Sequence, residues 1–247
     1  MPMKNQKTSS CIPNSYFTTG ITISILAILS IISNSSSLNG EFVYDDSEAI
    51  VNNIDIKSST SFWLLFQNDF WGRKLDHKES HKSYRPITIM TFRFNLDLAG
   101  GKLEPFSFHA VNLILHAAVT SLSLFVFQIL FPDEYTQQLS FLASLIFAVH
   151  PVHTEAIAGI VGRADLLCTF FSFCALLLYA KGIGLKSITA SLCYVSLSIL
   201  LSALAMLSKE QGITSIGICS AYDILVVNKI HPLDLYVWLK SSLYLEK

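Results

Sequence analysis

Charge is what this chain has least of. Of its 247 residues only 14% are Asp, Glu, Lys or Arg, about half the share of an ordinary soluble domain. A water-soluble globule of this size needs more polar surface, so that class is excluded. The formal net charge of −1 leaves no basic excess for gripping nucleic acid. Cysteine is scarce too: Cys11, Cys168, Cys174, Cys193 and Cys219 form no disulfide framework. Four of them fall in apolar runs and read as buried thiols behaving as small hydrophobes. The polar stretch between Gly40 and Leu103 has none, so it must hold together without disulfides. Low-complexity segments and internal repeats are also absent.

What the chain has in abundance is apolar sequence, 51% of residues, with a mean hydropathy of +0.49. The charges are unevenly placed. Residues 38–104 carry 18 of them, whereas the longer stretch 105–228 carries ten. This pattern describes an α-helical polytopic membrane protein with one large polar loop. Residues 1–15, with Lys4 and Lys7, read as a cytosolic N-terminus. Residues 16–33 read as a first transmembrane helix, a signal anchor, with a cleavable signal peptide as the alternative because Ser35, Ser36 and Ser37 follow. Residues 34–105 form the loop, placed in the lumen by the preceding positive charges.

Five further spans are expected within 106–230. Phe106–Phe131 is long enough to cross the ~30 Å hydrocarbon core. The runs Leu139–Val149, Leu166–Ala180, Ile188–Leu207 and Ile213–Val227 include several that are short, so polar flanks such as His150–Asp165 and Ser208–Gln211 must lie at membrane depth. Six spans put Lys4, Lys7, Lys181, Lys186 and Lys229 in the cytosol against Arg163 and Lys209 in the lumen, as the positive-inside rule requires. Residues 231–247 form a tail with Tyr236, Trp238 and Tyr244 at an interface, after which the chain looks truncated.

Polar residues at the lumenal ends carry the chemistry. Asp45 and Asp46 stand just after the first span, either as a solvated turn or as a catalytic base or cation ligand. Ser58–Phe66 reads as a capped apolar helix lying on the membrane. The basic strip from His77 to Arg93, with Arg85 and Arg93, could hold a lipid phosphate. His150-Pro151-Val152-His153-Thr154-Glu155 is followed by Gly162-Arg163-Ala164-Asp165, and charges at a span end are functional candidates. His150 and His153 could share a helix face as metal ligands, but Pro151 disfavours that geometry and no metal motif is present. In Ser208-Lys209-Glu210-Gln211-Gly212 an internal Lys–Glu pair is the simplest expectation. The three clusters are expected to converge on one lumenal cavity.

Five collinear motifs together resemble the transmembrane and tetratricopeptide-repeat-containing O-mannosyltransferases. They are Phe42-Val43-Tyr44-Asp45-Asp46-Ser47, Ser80 to Pro86 (SHKSYRP), His150 to Ala156 (HPVHTEA), Gly159 to Asp165 (GIVGRAD) and Lys209 to Gly212 (KEQG). Residues 46–53 and the surroundings of Cys168 are most similar to the fourth branch of that family. The resemblance implies an endoplasmic-reticulum membrane enzyme with the GT-C glycosyltransferase fold. It implies transfer of mannose from dolichyl phosphate mannose to Ser or Thr of lumenal proteins such as cadherins. The family also carries more spans and a long lumenal repeat array, which this chain lacks. By this resemblance Asp45 or Asp46 is the base of an inverting displacement. Arg85 and Arg163, then Lys209 and Arg93, bind the donor phosphate. His150, His153, Glu155, Asp165 and Glu210 line the sugar or acceptor pocket. No cofactor is implied, and a divalent metal is left open. A transporter predicts polar groups near mid-span rather than at span ends. A non-catalytic assembly partner is the other alternative.

The six-span topology makes a direct prediction. In sealed microsomes, single cysteines at 45, 153 and 209 should be protected from a cytosolic reagent, and those at 4, 186 and 229 should react. Protection at 186 would overturn the arrangement.

Overall fold

The structure, a computed structural model, describes residues 16–131 and 134–231, together with 233, 234, 236 and 237. The expected cytosolic residues 1–15, with Lys4 and Lys7, lie outside the described residues, as do Trp238 and Tyr244 of the expected tail. Among the described residues the regular structure is helical. The helices are α1 (Tyr16–Asn34), α2 (Pro86–Leu98), α3 (Pro105–Leu130), α4 (Thr136–Val149), α5 (Thr154–Ala158), α6 (Arg163–Ile183), α7 (Ile188–Ser208) and α8 (Thr214–Ala221).

Among the described residues, four helical segments are long and apolar enough to cross a membrane: Thr19–Asn39, Pro105–Leu130, Ile160–Ile183 and Ile188–Ser208. A fifth exists if α4 and the following Pro151–Ala158 segment form one span, bent by 47°. Pro151 explains the break, because its ring excludes helical geometry at His150, whose ψ is 129°. The last apolar run folds as α8 followed by a π-helical turn, Tyr222–Val227. It is shorter than the ~20 residues a straight span needs. Rows of exposed apolar side chains on α1 (Ile21, Ile25, Ile28, Ile32) and α7 (Leu192, Ile199, Leu200) are the surfaces such helices offer to lipid.

The polar loop is folded. Its core consists of Ala49, Ile50, Ile56, Leu65, Phe70, Ile89, Phe92 and Leu96, and it continues into Phe108 of α3 and Ile160. The loop therefore shares a core with the ends of the apolar helices. Within it, Ser58–Phe66 departs from the expected helix: only Phe62–Phe66 coils, as a 3-10 turn. The reason lies in α2. Arg93 donates to the carbonyls of Ser58 (3.2 Å) and Thr60 (2.8 Å), which removes the acceptors a helix would use. Trp63 remains exposed, as an interfacial reading expects.

One side chain joins loop and helices. Arg163, at the first position of α6, has 0% exposure. Its Nε donates to Asn112 Oδ1 at 2.8 Å, Nη2 to Asn95 Oδ1 at 2.8 Å and Phe108 O at 3.0 Å, and Nη1 to Thr91 O at 3.3 Å. Phe92 and Phe108 lie on its faces, 4.7 and 5.6 Å from the guanidinium carbon. Asn112 in turn donates to the carbonyls of Gly159 and Ile160. A fork of donors matches this set of oxygens, and an ammonium does not. Arg163→Lys should therefore lower stability by about 3 kcal/mol or more, at ~1.5–3 kcal/mol per lost bond to a charged group. Thermal unfolding in detergent measures it, and an unchanged midpoint would show the cluster to be dispensable.

The loop core also encloses a carboxylate. Asp55 is buried, and Asn68 Nδ2 donates to both its oxygens at 2.9 Å. Burial pushes the Asp55 carboxyl above its ordinary 3.8, and the Asn68 bond offsets only part of that. An acid with a raised folded value is protonated in both states below 3.8, so it costs nothing there. Between 3.8 and the folded value the unfolded state gives up its proton while the fold keeps it, so the penalty on the fold grows with pH, and above the folded value it is constant. Loop protection, read by hydrogen exchange corrected for intrinsic rates, should thus fall as pH rises from about 4. Asp55→Asn should flatten that slope, and an identical slope in the variant would refute the assignment.

Candidate functional site

Adjacent acids end up in opposite environments. Residues 40–46 form a short arc across the top of α3, with Phe42 edge-on to Phe108 at 5.6 Å. Tyr44 takes a left-handed conformation, φ 44°, which turns the chain sharply before the acid pair. Asp46 is then buried. Its Oδ2 accepts from the backbone N–H of Val43 at 3.1 Å and its Oδ1 from that of Val161 at 2.9 Å. That second bond spans 115 residues and ties the arc to the Gly159–Asp165 motif. Asp45 instead is exposed and lines an open cleft of about 510 Å³ with Tyr44, Glu48, Trp71, Arg73, Glu79 and His81.

The cleft walls are held by the rest of the loop. Asp69 is buried and accepts from Trp71 N and Arg73 N at 3.0 Å and from Ser80 Oγ at 2.6 Å. It thereby fixes the turn that carries Trp71 and Arg73. The Trp71 and His81 rings sit 6.0 Å apart, and Arg73 pairs with Glu79 at 2.6 Å. An acid, an imidazole and an aromatic face in one cleft can accept a proton and stack on a sugar-sized ligand.

The expected cations occupy three different situations. Arg85 precedes Pro86, which opens α2 with its φ already helical. Its guanidinium lies over Phe70 at 4.9 Å and pairs with Glu210 at 3.0 Å. Lys209 pairs with Asp165 at 2.5 Å. The neighbours Lys209 and Glu210 therefore do not pair with each other, contrary to expectation. Each reaches across to another motif, and Thr88 Oγ1 donates to Ser208 O at 2.8 Å beside them. Both cations are only partly exposed, at 20% and 19% of their side-chain surface. Arg93 donates through Nη2 to the Ser58 and Thr60 carbonyls, and its buried Nη1 has no hydrogen-bond partner among the described residues. Arg163 was expected as a phosphate ligand, but its donors face Asn112, Asn95, Thr91 and Phe108, and it presents no surface to a ligand. Within the basic strip, Lys82 Nζ likewise donates to the carbonyls of Leu75 and His77.

The motif glycines are explained by close backbone approach. A Cβ on Gly162 would lie 2.6 Å from the Ala156 backbone, and one on Gly212 would lie 2.2 Å from that of Ala205. The two motifs thus close tightly under the loop.

The histidine motif sits apart from the cleft, whose lining comes from residues 44–81 alone. His150 is exposed, and its Nδ1 accepts from Val152 N at 3.1 Å, capping the turn after the break. His153 packs on Phe147 at 4.2 Å and near His116 at 5.4 Å. Glu155 is exposed. Convergence of all three clusters on a single cavity is not what this cleft shows. Among the described residues, no group of three or more His, Cys, Asp or Glu side chains is placed to hold a metal ion.

Several residues of the site carry no motif: Asn95, Asn112, Asp55, Asp69 and His109. One signal was available for α3. His109, Asn112 and His116 recur at three and four residues in an otherwise apolar run, which is one polar helix face turned toward protein.

No protein-family model matches the chain, and no solved structure does. Curated relatives do. The protein O-mannosyl-transferase TMTC4 of Mus musculus is 46% identical over 237 residues, covering 90% of this chain and 31% of its own length. Its Homo sapiens counterpart is 45% identical over 224 residues, 85% of this chain and 30% of that protein. The protein O-mannosyl-transferase TMTC3 of Homo sapiens is 46% identical over 193 residues, 77% of this chain and 20% of that protein. The chain thus spans less than a third of the length of these relatives. As a partial segment, it belongs to the TMTC family of protein O-mannosyl-transferases.

Proposed function

We propose that this segment carries the acid and cation framework of a protein O-mannosyltransferase in the endoplasmic-reticulum membrane. The enzyme takes mannose from dolichyl phosphate mannose and places it on Ser or Thr of lumenal proteins such as cadherins. The fold is of the GT-C type, multi-pass, with a cytosolic N-terminus and the polar loop in the lumen. The relatives' names support a protein O-mannosyl-transferase. The observation that carries the assignment is the split of the acid pair. Asp46 has both oxygens committed to backbone N–H groups, whereas Asp45 stands open in the cleft.

The chemistry follows. Asp45 accepts the proton of the acceptor hydroxyl as its oxygen attacks the anomeric carbon of mannose from the face opposite the phosphate. The carbon–oxygen bond to dolichyl phosphate breaks in the same displacement, and the configuration inverts. The departing phosphate is a weak base, so it needs cations rather than a strong acid. Arg85 and Lys209 are the two expected cations that are partly exposed and ion-paired to carboxylates. Each now sits on a carboxylate, Glu210 and Asp165, that a phosphate can replace. His150, His153 and Glu155 sit apart from this cleft and are assigned to the acceptor polypeptide beyond its reactive hydroxyl. Trp71 offers the aromatic face for the sugar.

In the full-length polypeptide, Asp45→Asn should reduce transfer by about 10²–10⁴-fold, the usual contribution of a general base, with membrane insertion and abundance unchanged. Asp46→Asn should act differently. An amide nitrogen must meet one of two backbone N–H donors, so folded yield falls before chemistry does. Transfer at the parental rate by the double Asn variant, inserted and abundant, would overturn the reading and move the search to Glu48.

A further inference from the structure

Gly40 begins the arc that presents Asp45, and its backbone asks for no special residue there. Its φ of −73° and ψ of 153° are extended, open to any side chain. What excludes a side chain is space. A Cβ at Gly40 would stand 2.8 Å from Nε2 and 3.1 Å from Cε1 of His109, and 3.1 Å from the Ser37 carbonyl oxygen. The imidazole thus lies directly beneath the Gly40 backbone.

His109 is unusual for a residue in that position. It is 1% exposed, and its ring nitrogens face the Gly40 and Glu41 backbone groups without reaching full hydrogen-bond geometry. An apolar residue would fill the same space but could not interact with those two backbone groups. The charges that act on the ring are Asp46 from the arc and Arg163 from α6. The imidazole is therefore within electrostatic reach of the buried anion that ties the arc down and of the buried cation that ties the loop down.

We infer that His109 is a positioning residue for the reaction: its ring is the floor under Gly40 and Glu41, and it fixes the height at which Asp45 enters the cleft. Asp46 anchors one end of the arc through Val161, and His109 supports the other. Asp45 lies between an anchor and a support, one residue beyond the left-handed Tyr44. The inference rests on Asp45 being the base.

The test is a double-mutant cycle in the full-length polypeptide, with kcat followed across pH. Gly40→Ala pushes a methyl group onto the ring and lifts the arc. Turnover should fall at least roughly tenfold, since a misplacement near 1 Å can cost about 10²-fold. The acid limb of the kcat profile should also move, because Asp45 changes its distance to Glu48, Arg73, Glu79 and His81. A smaller folded fraction would scale that profile without moving it. His109→Ala should lower turnover similarly, and His109→Gln, with an amide near the Nε2 position, should restore part of it. The double variant Gly40→Ala/His109→Ala should lose less than the two single losses combined, because removing the ring makes room for the methyl. Additive losses with an unmoved acid limb, alongside an inactive Asp45→Asn, would overturn the inference. An Asp45→Asn enzyme at the parental rate would overturn the base assignment instead, and this inference with it.

Discussion

A guanidinium with 0% exposure has to find an oxygen for its donors, and the surroundings of Arg163 are arranged to supply them. The oxygens are neutral: two asparagine amides, the Thr91 carbonyl and the Phe108 carbonyl. They come from α2 in the loop and α3 among the apolar helices, while the arginine comes from α6. The cluster therefore fixes how the loop sits on the helices. Asp46 then reaches Val161, two residues before this arginine, so the acid arc takes its position from the same point. If the cluster were lost, Asn95 and Asn112 would be left as buried amides with part of their bonding unmet, a cost that falls on all three elements.

Above that fixed point the contacts are softer. The pairs Arg85–Glu210 and Lys209–Asp165 cross between loop, α6 and α7, and all four side chains keep some contact with solvent. Partly exposed pairs contribute little stability, so these charges can exchange partners at small cost.

Much of this was legible in the sequence. The apolar runs located α1, α3, α6 and α7 to within a few residues, because few alternatives satisfy twenty apolar residues in a row. The acid pair was found from its place after the first span. The choice between its members was not, because it depends on a Val161 N–H 115 residues away. Arg163 misled for a related reason. An arginine at a span end reads equally as a phosphate ligand or a packing centre until Asn95 and Asn112 are known to face it. Ser58–Phe66 has the composition of a helix, yet Arg93, more than thirty residues on, takes its carbonyls. In each case local sequence gave the residue type, and a distant partner decided its use.

The lack of cysteine between Gly40 and Leu103 has a consequence for how this loop is made. Its core closes on aromatic packing, amide–carboxylate bonds and a buried guanidinium, none of which carries a reduction potential. The loop can reach its final shape as soon as the helices beneath it are inserted, without an oxidase or isomerase. Its shape is then indifferent to the thiol balance of the compartment that receives it. Reductive stress, which unravels disulfide-built neighbours, leaves this site standing.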